Sequence, residues 1–207
     1  DAMLDAGVSE RTIASITAKA RRHAAANPNA IFRDPLSVDE ILATQPIFRR
    51  LRKLYACPPS CGAAAVLVCS QDFARAHGIR TDVKLAGKGW CSDHSRYFTG
   101  GVMDVMFQAL SRDAAAAAYE DAGLGPEDID VVELHDCFAT NELATYVALG
   151  LCTTEDLDRF VAQGDNSFGG RVLVNPSGGL LAKGHPLGAT GLAQIVELTW
   201  QLRGEAG

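Results

Sequence analysis

The sequence predicts an α/β fold of layered helices and strands, and three observations carry that prediction. Of 207 residues, 47% are hydrophobic and 20 are glycine, enough apolar volume for a core and enough glycine for tight turns. From Gly62 onward, apolar strand-like runs alternate with helical segments in the order β-α-β-loop-α-β-α-β-α, the alternation that builds a layered sheet. Before Gly62 the chain has no strong strand signal and is cut by Asn27-Pro28 and Asp34-Pro35. The chain therefore divides into a mainly helical, irregular segment at 1–61 and a sheet-bearing domain at 62–207.

Each element follows from its residues. A helix is predicted over 9–26, opened at Ser9 and closed by three alanines before Asn27-Pro28. Ser37 followed by Glu40 has the capping-box spacing and predicts a short helix to Ala43. Residues 46–53 mix apolar and basic side chains and end at Cys57-Pro58-Pro59-Ser60. Residues 63–69 form a continuous small-apolar run, read as a buried strand. Residues 70–77 are helical and stop at Gly78; 83–89 read as a second strand, and a polar loop runs from Cys91 to about Gly101. Residues 112–122 are a helix with an alanine run, closed by Gly123. A turn at 125–128 leads to a strand at 129–134 and a helix at 140–149 ending on Gly150. The polar stretch 153–171 holds a short helix at 155–163. A short strand at 172–174, a turn at 175–179 and a last helix at 191–203 complete the chain.

Bulk properties exclude several classes. The net charge of −6 argues against general nucleic-acid binding. The charge is uneven: residues 1–55 carry nine Lys/Arg against six Asp/Glu. A basic front of this kind suits an anionic ligand, or simply a solvated helical face. Six cysteines in an alanine-rich chain of this length are too sparse for a disulfide scaffold, and several lie in apolar runs, as free thiols in a reducing compartment do. No apolar run reaches membrane-spanning length, and residues 1–20 do not form a signal peptide. Both ends fall beside helical segments and read as interior points of a longer chain.

Two segments carry candidate chemistry. Glu133-Leu134-His135-Asp136-Cys137-Phe138 sits where a strand passes into a helix, the place where α/β sheets put their ligands. His135 and Cys137 can each exchange protons near neutral pH, and a cysteine close to a helix start can have its thiolate stabilised. The second segment runs from Asn175-Pro-Ser-Gly178-Gly179 to Gly184-His185-Pro186 and on to Gly191. Glycine on one side and fixed-φ proline on the other would hold His185 stiffly just before a helix, a setting suited to base chemistry or oxyanion stabilisation. It is neither a phosphate-binding P-loop, since no Gly-Lys-Ser/Thr follows, nor a dinucleotide fingerprint, since the glycine spacing differs. Cys57, Cys61, Cys91 and His94 could in principle hold zinc. However, Cys57-Pro-Pro-Ser-Cys61 is not a usual zinc-knuckle spacing, and Cys61 leads straight into an apolar run, so no metal is expected.

The Asn-Pro-Ser-Gly-Gly and Gly-His-Pro-Leu-Gly-Ala-Thr-Gly pair resembles the C-terminal motif of thiolases. His135-Asp136-Cys137-Phe138 is similar to the variant found in the sterol carrier protein X type. Asn141-Glu142-Leu143, Ala148 to Cys152 and Arg203 to Gly207 resemble that subfamily too, as do Asn27-Pro28 and Gly62-Ala-Ala-Ala65. The resemblance implies a partial thiolase-like layered α-β-α fold, with loop-domain material at 1–61 and a C-terminal domain at 62–207. It implies catalytic roles for His135, Cys137 and His185. His185 would activate the nucleophilic cysteine, His135 would help form the second oxyanion site, and Cys137 would be the acid/base at the acetyl α-carbon. Phe138, Gly184, Asn175 and Gly179 would border the substrate.

The implied reaction is thiolytic cleavage of a 3-oxoacyl-CoA, or the reverse Claisen condensation, in lipid or sterol side-chain metabolism. Coenzyme A would be a substrate, with no tightly bound cofactor. The implied partners are acyl-CoA and a second copy in a homodimer, without nucleic acid or membrane insertion. The compartment would be bacterial cytoplasm, or the peroxisome in a eukaryote. Two alternatives stand beside this: a retro-aldolase on steroid side-chain thioesters, and a non-catalytic acyl-CoA-binding or scaffold module. The sequence departs from the family pattern in several places. The nucleophile-bearing half is not in this sequence, and neither are the closing strands expected after Gly207. Cys61-Gly62 replaces the usual Asp-Gly, and the serine that often contacts CoA is replaced near Cys57. The fragment alone is therefore expected to be inactive.

Overall fold

A computed structural model describes residues 1–99 and 108–206. The helix expected at 9–26 is α2, Glu10–Ala24, after a four-residue α1 at Ala2–Asp5. Ser9 caps α2 by accepting from the Thr12 N–H. Ten of its fifteen residues are buried, Ile13, Ile16, Lys19 and His23 included, while Arg11 and Arg22 lie on its exposed stripe, so α2 is packed on most of its faces. The capping box of Ser37 and Glu40 opens α3, Val38–Ala43. α2 packs against α3, against the two later helices α6 (Ala139–Ala148) and α7 (Leu157–Ala162), and against the one-turn α8 (Gly179–Ala182). Ile13, Ile16, Ile41, Leu143, Tyr146, Leu157 and Val174 fill the space between them. Each fully buried aliphatic side chain contributes about 1.5–3 kcal/mol.

A two-residue parallel pair lies in this core: β3 (Val131–Val132) beside β4 (Leu173–Val174), in register Val131↔Leu173 and Val132↔Val174. These are the strands expected at 129–134 and 172–174, shortened, with α6 and α7 on the crossover between them. The last helix, α9 (Thr190–Arg203), closes on Gly204 in the left-handed region, φ 66°.

Three expectations are corrected. Residues 46–53 hold a small antiparallel hairpin, β1 (Pro46–Phe48) with β2 (Leu51–Arg52), turned by Arg49 at φ 50°. Its apolar residues Ile47 and Phe48 face solvent, so no core-facing alternation announced it. The runs 63–69 and 83–89 pair with no strand among the described residues, and Leu67, Val68 and Leu85 are exposed. A strand is stable only when a neighbour completes its ladder, and here none of the described segments does. Instead, Gly87 and Gly89 lie so close to α5 (Gln108–Ala122) that a Cβ on either would strike the backbone of Ala114 or Ala118. The alanine run makes that close approach to α5 feasible. A short α4 (Gln71–Ala76) separates the two runs, capped by Ser70. The polar loop after Cys91 contains a 3₁₀ turn at Ser95–Phe98; its end near Gly101 lies outside the described residues.

Candidate active site

The two motif segments converge. The ring centroids of His135 and His185 are 4.7 Å apart, edge to face at 89°. A third segment, 56–60, holds both. Ala56 bridges Phe138, with the Cys57 N–H donating to the Cys137 carbonyl at 2.9 Å. Pro59 bridges His185, and the Ser60 hydroxyl accepts the His185 N–H at 2.7 Å. Segment 56–60 is a rail to which both loops are docked. In the sequence this stretch stands out only through Cys57, near which the serine that often contacts CoA is replaced, and through the Cys57–Cys61 spacing set aside for zinc; Ser60 and the docking of the two loops carry no sequence signal.

Backbone geometry explains the histidine loop. Gly184 has φ 110°, and a Cβ there would lie 2.6 Å from Ile31 Cδ1 and 2.9 Å from Ser60 Oγ, so only glycine lets the loop pass between them. The helix following His185 begins at Thr190, one residue ahead of the expected start at 191. The intervening turn brings the Thr190 hydroxyl 2.8 Å from His185 Nδ1. That hydroxyl donates its proton to the Pro186 carbonyl at 2.9 Å, so Nδ1–H must be the donor to Thr190. In neutral His185 the lone pair is then on Nε2, available to accept a proton.

A cavity of about 480 Å³ opens beside the first motif. His135, Cys137, Phe138, Asn141 and Thr145 line one side, and Gln108 and Ser111 of α5 line another. His185 reaches this wall through its contact with His135. Phe138, half-exposed, precedes the first turn of α6. Asn141 donates from its side-chain amide to the His135 carbonyl and fixes the turn from within α6. Asn175 and Gly179 are placed otherwise than a substrate contact requires. Asn175 is fully buried at φ 52°; its amide accepts from the Leu134 N–H at 2.8 Å and donates to Glu142 at 3.0 Å. A Cβ on Gly179 would collide with the Asp136 carboxylate and the Asn175 amide. Both residues sit behind the motif turn, in the frame that shapes it.

The electrostatics follow from burial. Burial, and then the neighbouring His185, hold His135 below the ordinary histidine value, so it is neutral at pH 7. Burial pushes the Cys137 thiol up, against the lowering effect of the Phe138 N–H; the thiolate stabilisation expected from the helix start is outweighed. Cys57 is raised by burial and by the nearby Cys137 and Asp136. Near neutral pH the site therefore presents a protonated Cys137 thiol and a neutral His135 imidazole, with the His185 ring against it and its Nδ1 engaged by Thr190. That set can donate a proton to a carbanion, take one from a thiol, and hydrogen-bond a developing oxyanion. Among the described residues, no three His, Cys, Asp or Glu side chains gather as metal ligands would. No helix among them is long and apolar enough to cross a membrane.

Comparison with known proteins gives consistent matches. Residues 92–207 match the family described as Thiolase C-terminal domain-like. Sterol carrier protein 2 of Rattus norvegicus is 47% identical over 203 residues, which is 97% of this chain and 37% of that protein. Benzoylsuccinyl-CoA thiolase subunit BbsB of Thauera aromatica is 36% identical over 205 residues, 98% of this chain and 52% of that one. Among solved structures, the Ltp2-ChsH2(DUF35) aldolase superposes with a TM-score of 0.76 at 24% identity, covering 99% of this chain and 53% of that one. At that identity it speaks for the fold alone. The chain spans about a third to a half of the length of the relatives it matches.

Proposed function

Since the chain belongs to the Thiolase C-terminal domain-like family, we propose that it supplies the acid/base half of a thiolase-type acyltransferase acting on 3-oxoacyl-CoA thioesters. The observation that carries this reading is the contact of His135 and His185 at 4.7 Å, beside the protonated thiol of Cys137. Nucleophilic acyl transfer with carbon–carbon cleavage needs a base for the nucleophile, an acid for the leaving carbanion and donors for two oxyanions. In the cleavage direction, His185 Nε2 takes the proton of a cysteine contributed by another part of the parent protein. That thiolate attacks the 3-oxo carbon, and the C2–C3 bond breaks. The departing enolate takes its proton from the Cys137 thiol, which leaves acetyl- or propanoyl-CoA and an acyl-cysteine. The Cys137 thiolate then accepts the proton of the incoming CoA thiol as it attacks the acyl group. His135, neutral and donor-capable, faces the thioester oxygen, directly or through water.

In this reading Phe138 borders the pantetheine path, Gly184 sets the His185 loop, and Asn175 and Gly179 serve as positioning residues. The parent works on lipid or sterol side-chain thioesters as a homodimer, in bacterial cytoplasm or in the peroxisome. The test is product analysis of the parent protein with a 3-oxoacyl-CoA plus CoA, set against a β-hydroxyacyl thioester. Thiolysis of the first substrate supports the proposal, whereas retro-aldol cleavage of the second alone overturns it. H185A should lower turnover by about 10²–10⁴-fold. C137A should still form the acyl-enzyme, seen as a mass increase, from an activated acyl-CoA, while failing to cleave the 3-oxo substrate. Wild-type rates in either variant refute the assigned roles.

A further inference from the structure

The residue between the two reacting side chains of the first motif is fully buried. Asp136 turns inward, away from the cavity wall on which His135 and Cys137 stand, and accepts the Leu180 N–H at 2.7 Å and the Leu181 N–H at 3.3 Å. Those donors lie five and four residues before His185. Gly179 makes room for the carboxylate, since any Cβ there would strike it. We propose that Asp136 is a positioning residue: its buried carboxylate ties the turn carrying His135 and Cys137 to the segment that leads into His185, and so sets the spacing of the three side chains. The rail at 56–60 grips the same two segments elsewhere, so Asp136 supplies a second, independent tether.

The same carboxylate lies in sight of the reacting thiol. Glu142 faces Asp136 from α6 and Lys19 from α2, and Cys137 and Cys57 lie within its field. Burial and Glu142 push Asp136 up to about 7, while the two backbone donors and Lys19 pull it down. Once ionised, Asp136 holds the Cys137 proton in place, as a group that must deliver a proton requires. This deepens the acid role proposed for Cys137 and rests on it.

The experiment reads the thiol and not turnover, so it can fail while the thiolase reading stands, and the reverse. Alkylation of Cys137 by iodoacetamide is followed by peptide mass spectrometry from pH 6 to 10 in the full chain, its D136N variant and V172A. Val172 is buried and is not among the groups that bond or face the carboxylate, so V172A controls for lost stability. Each unit by which a thiol pKa falls gives tenfold more thiolate but only about threefold more rate, because the thiolate is also less nucleophilic. D136N should lower the alkylation midpoint and raise the rate at pH 7 by about threefold or more, with V172A unchanged. A folded D136N with the wild-type midpoint, or V172A shifting it equally, overturns the proposal. Should D136N not fold, carbon NMR of the aspartate carboxyl groups in the wild-type chain decides. One resonance titrating near pH 7 supports the inference, and all of them titrating below pH 5 overturns it.

Discussion

Replacing Lys19 with methionine leaves the buried Glu142 carboxylate without its ion-pair partner. Lys19 is 3% exposed and Glu142 is fully buried, and they are ion-paired across 123 residues of sequence. Lys19 also donates to Tyr146 Oη and to the Val174 carbonyl, both at 3.2 Å. In K19M the volume is nearly kept, but Glu142 retains only two neutral donors, the Tyr146 hydroxyl and the Asn175 amide. Removing one partner of a buried pair typically costs about 3–5 kcal/mol. For a chain of this length that lowers the melting temperature by about 6–20 °C. Urea and thermal denaturation of wild type, K19M and K19M/E142Q read the effect. The double variant should be more stable than K19M, because an amide at 142 leaves no orphan charge and still accepts from Asn175. K19M within about 1 kcal/mol of wild type, or a double variant weaker than K19M, would refute the reasoning.

Two further outcomes follow from the same frame. His23 bonds the Asn175 carbonyl and the Ser167 hydroxyl, and burial lowers it to about 4 from 6.5. A depressed histidine contributes stability that is complete above pH 6.5 and is lost as pH falls toward 4. The stability gap between wild type and H23Q should therefore narrow by up to about 3 kcal/mol between pH 7 and pH 4, and a constant gap would count against the assignment. G184A forces a Cβ onto Ile31 and Ser60 at φ 110°. It should cost about 1–3 kcal/mol of stability and loosen the bond between Ser60 and the His185 N–H, read as faster amide exchange at His185; unaltered exchange would contradict it.

Much of the architecture is written locally in the chain. Ser9, Ser37 with Glu40, and Gly123 mark helix ends locally, within a few residues of sequence, so α2, α3 and α5 were legible. The two motif segments announced themselves through histidine, cysteine and glycine at fixed spacing. What was not legible depends on distant partners. The run 63–69 has strand composition, yet composition cannot supply the neighbouring strand that a ladder needs. The hairpin at 46–52 turns on a positive φ at Arg49, a residue type that gives no warning of it. Lys19 and Glu142 are 123 residues apart, and nothing in the sequence pairs them; only the fold brings them together. Asn175, expected at the substrate, instead has its amide committed to Leu134 and Glu142, because its left-handed backbone turns the side chain into the core.

The convergence of the two motifs can be measured in solution by NMR of histidine-labelled protein. The contact at 4.7 Å predicts a through-space cross-peak between the His135 and His185 rings. It also predicts a His135 titration below the ordinary histidine value that moves upward in H185Q, where burial remains but the neighbouring imidazole is gone. Absence of the cross-peak, with a His135 titration identical in wild type and H185Q, would place the two segments in separate sites and contradict a shared active centre.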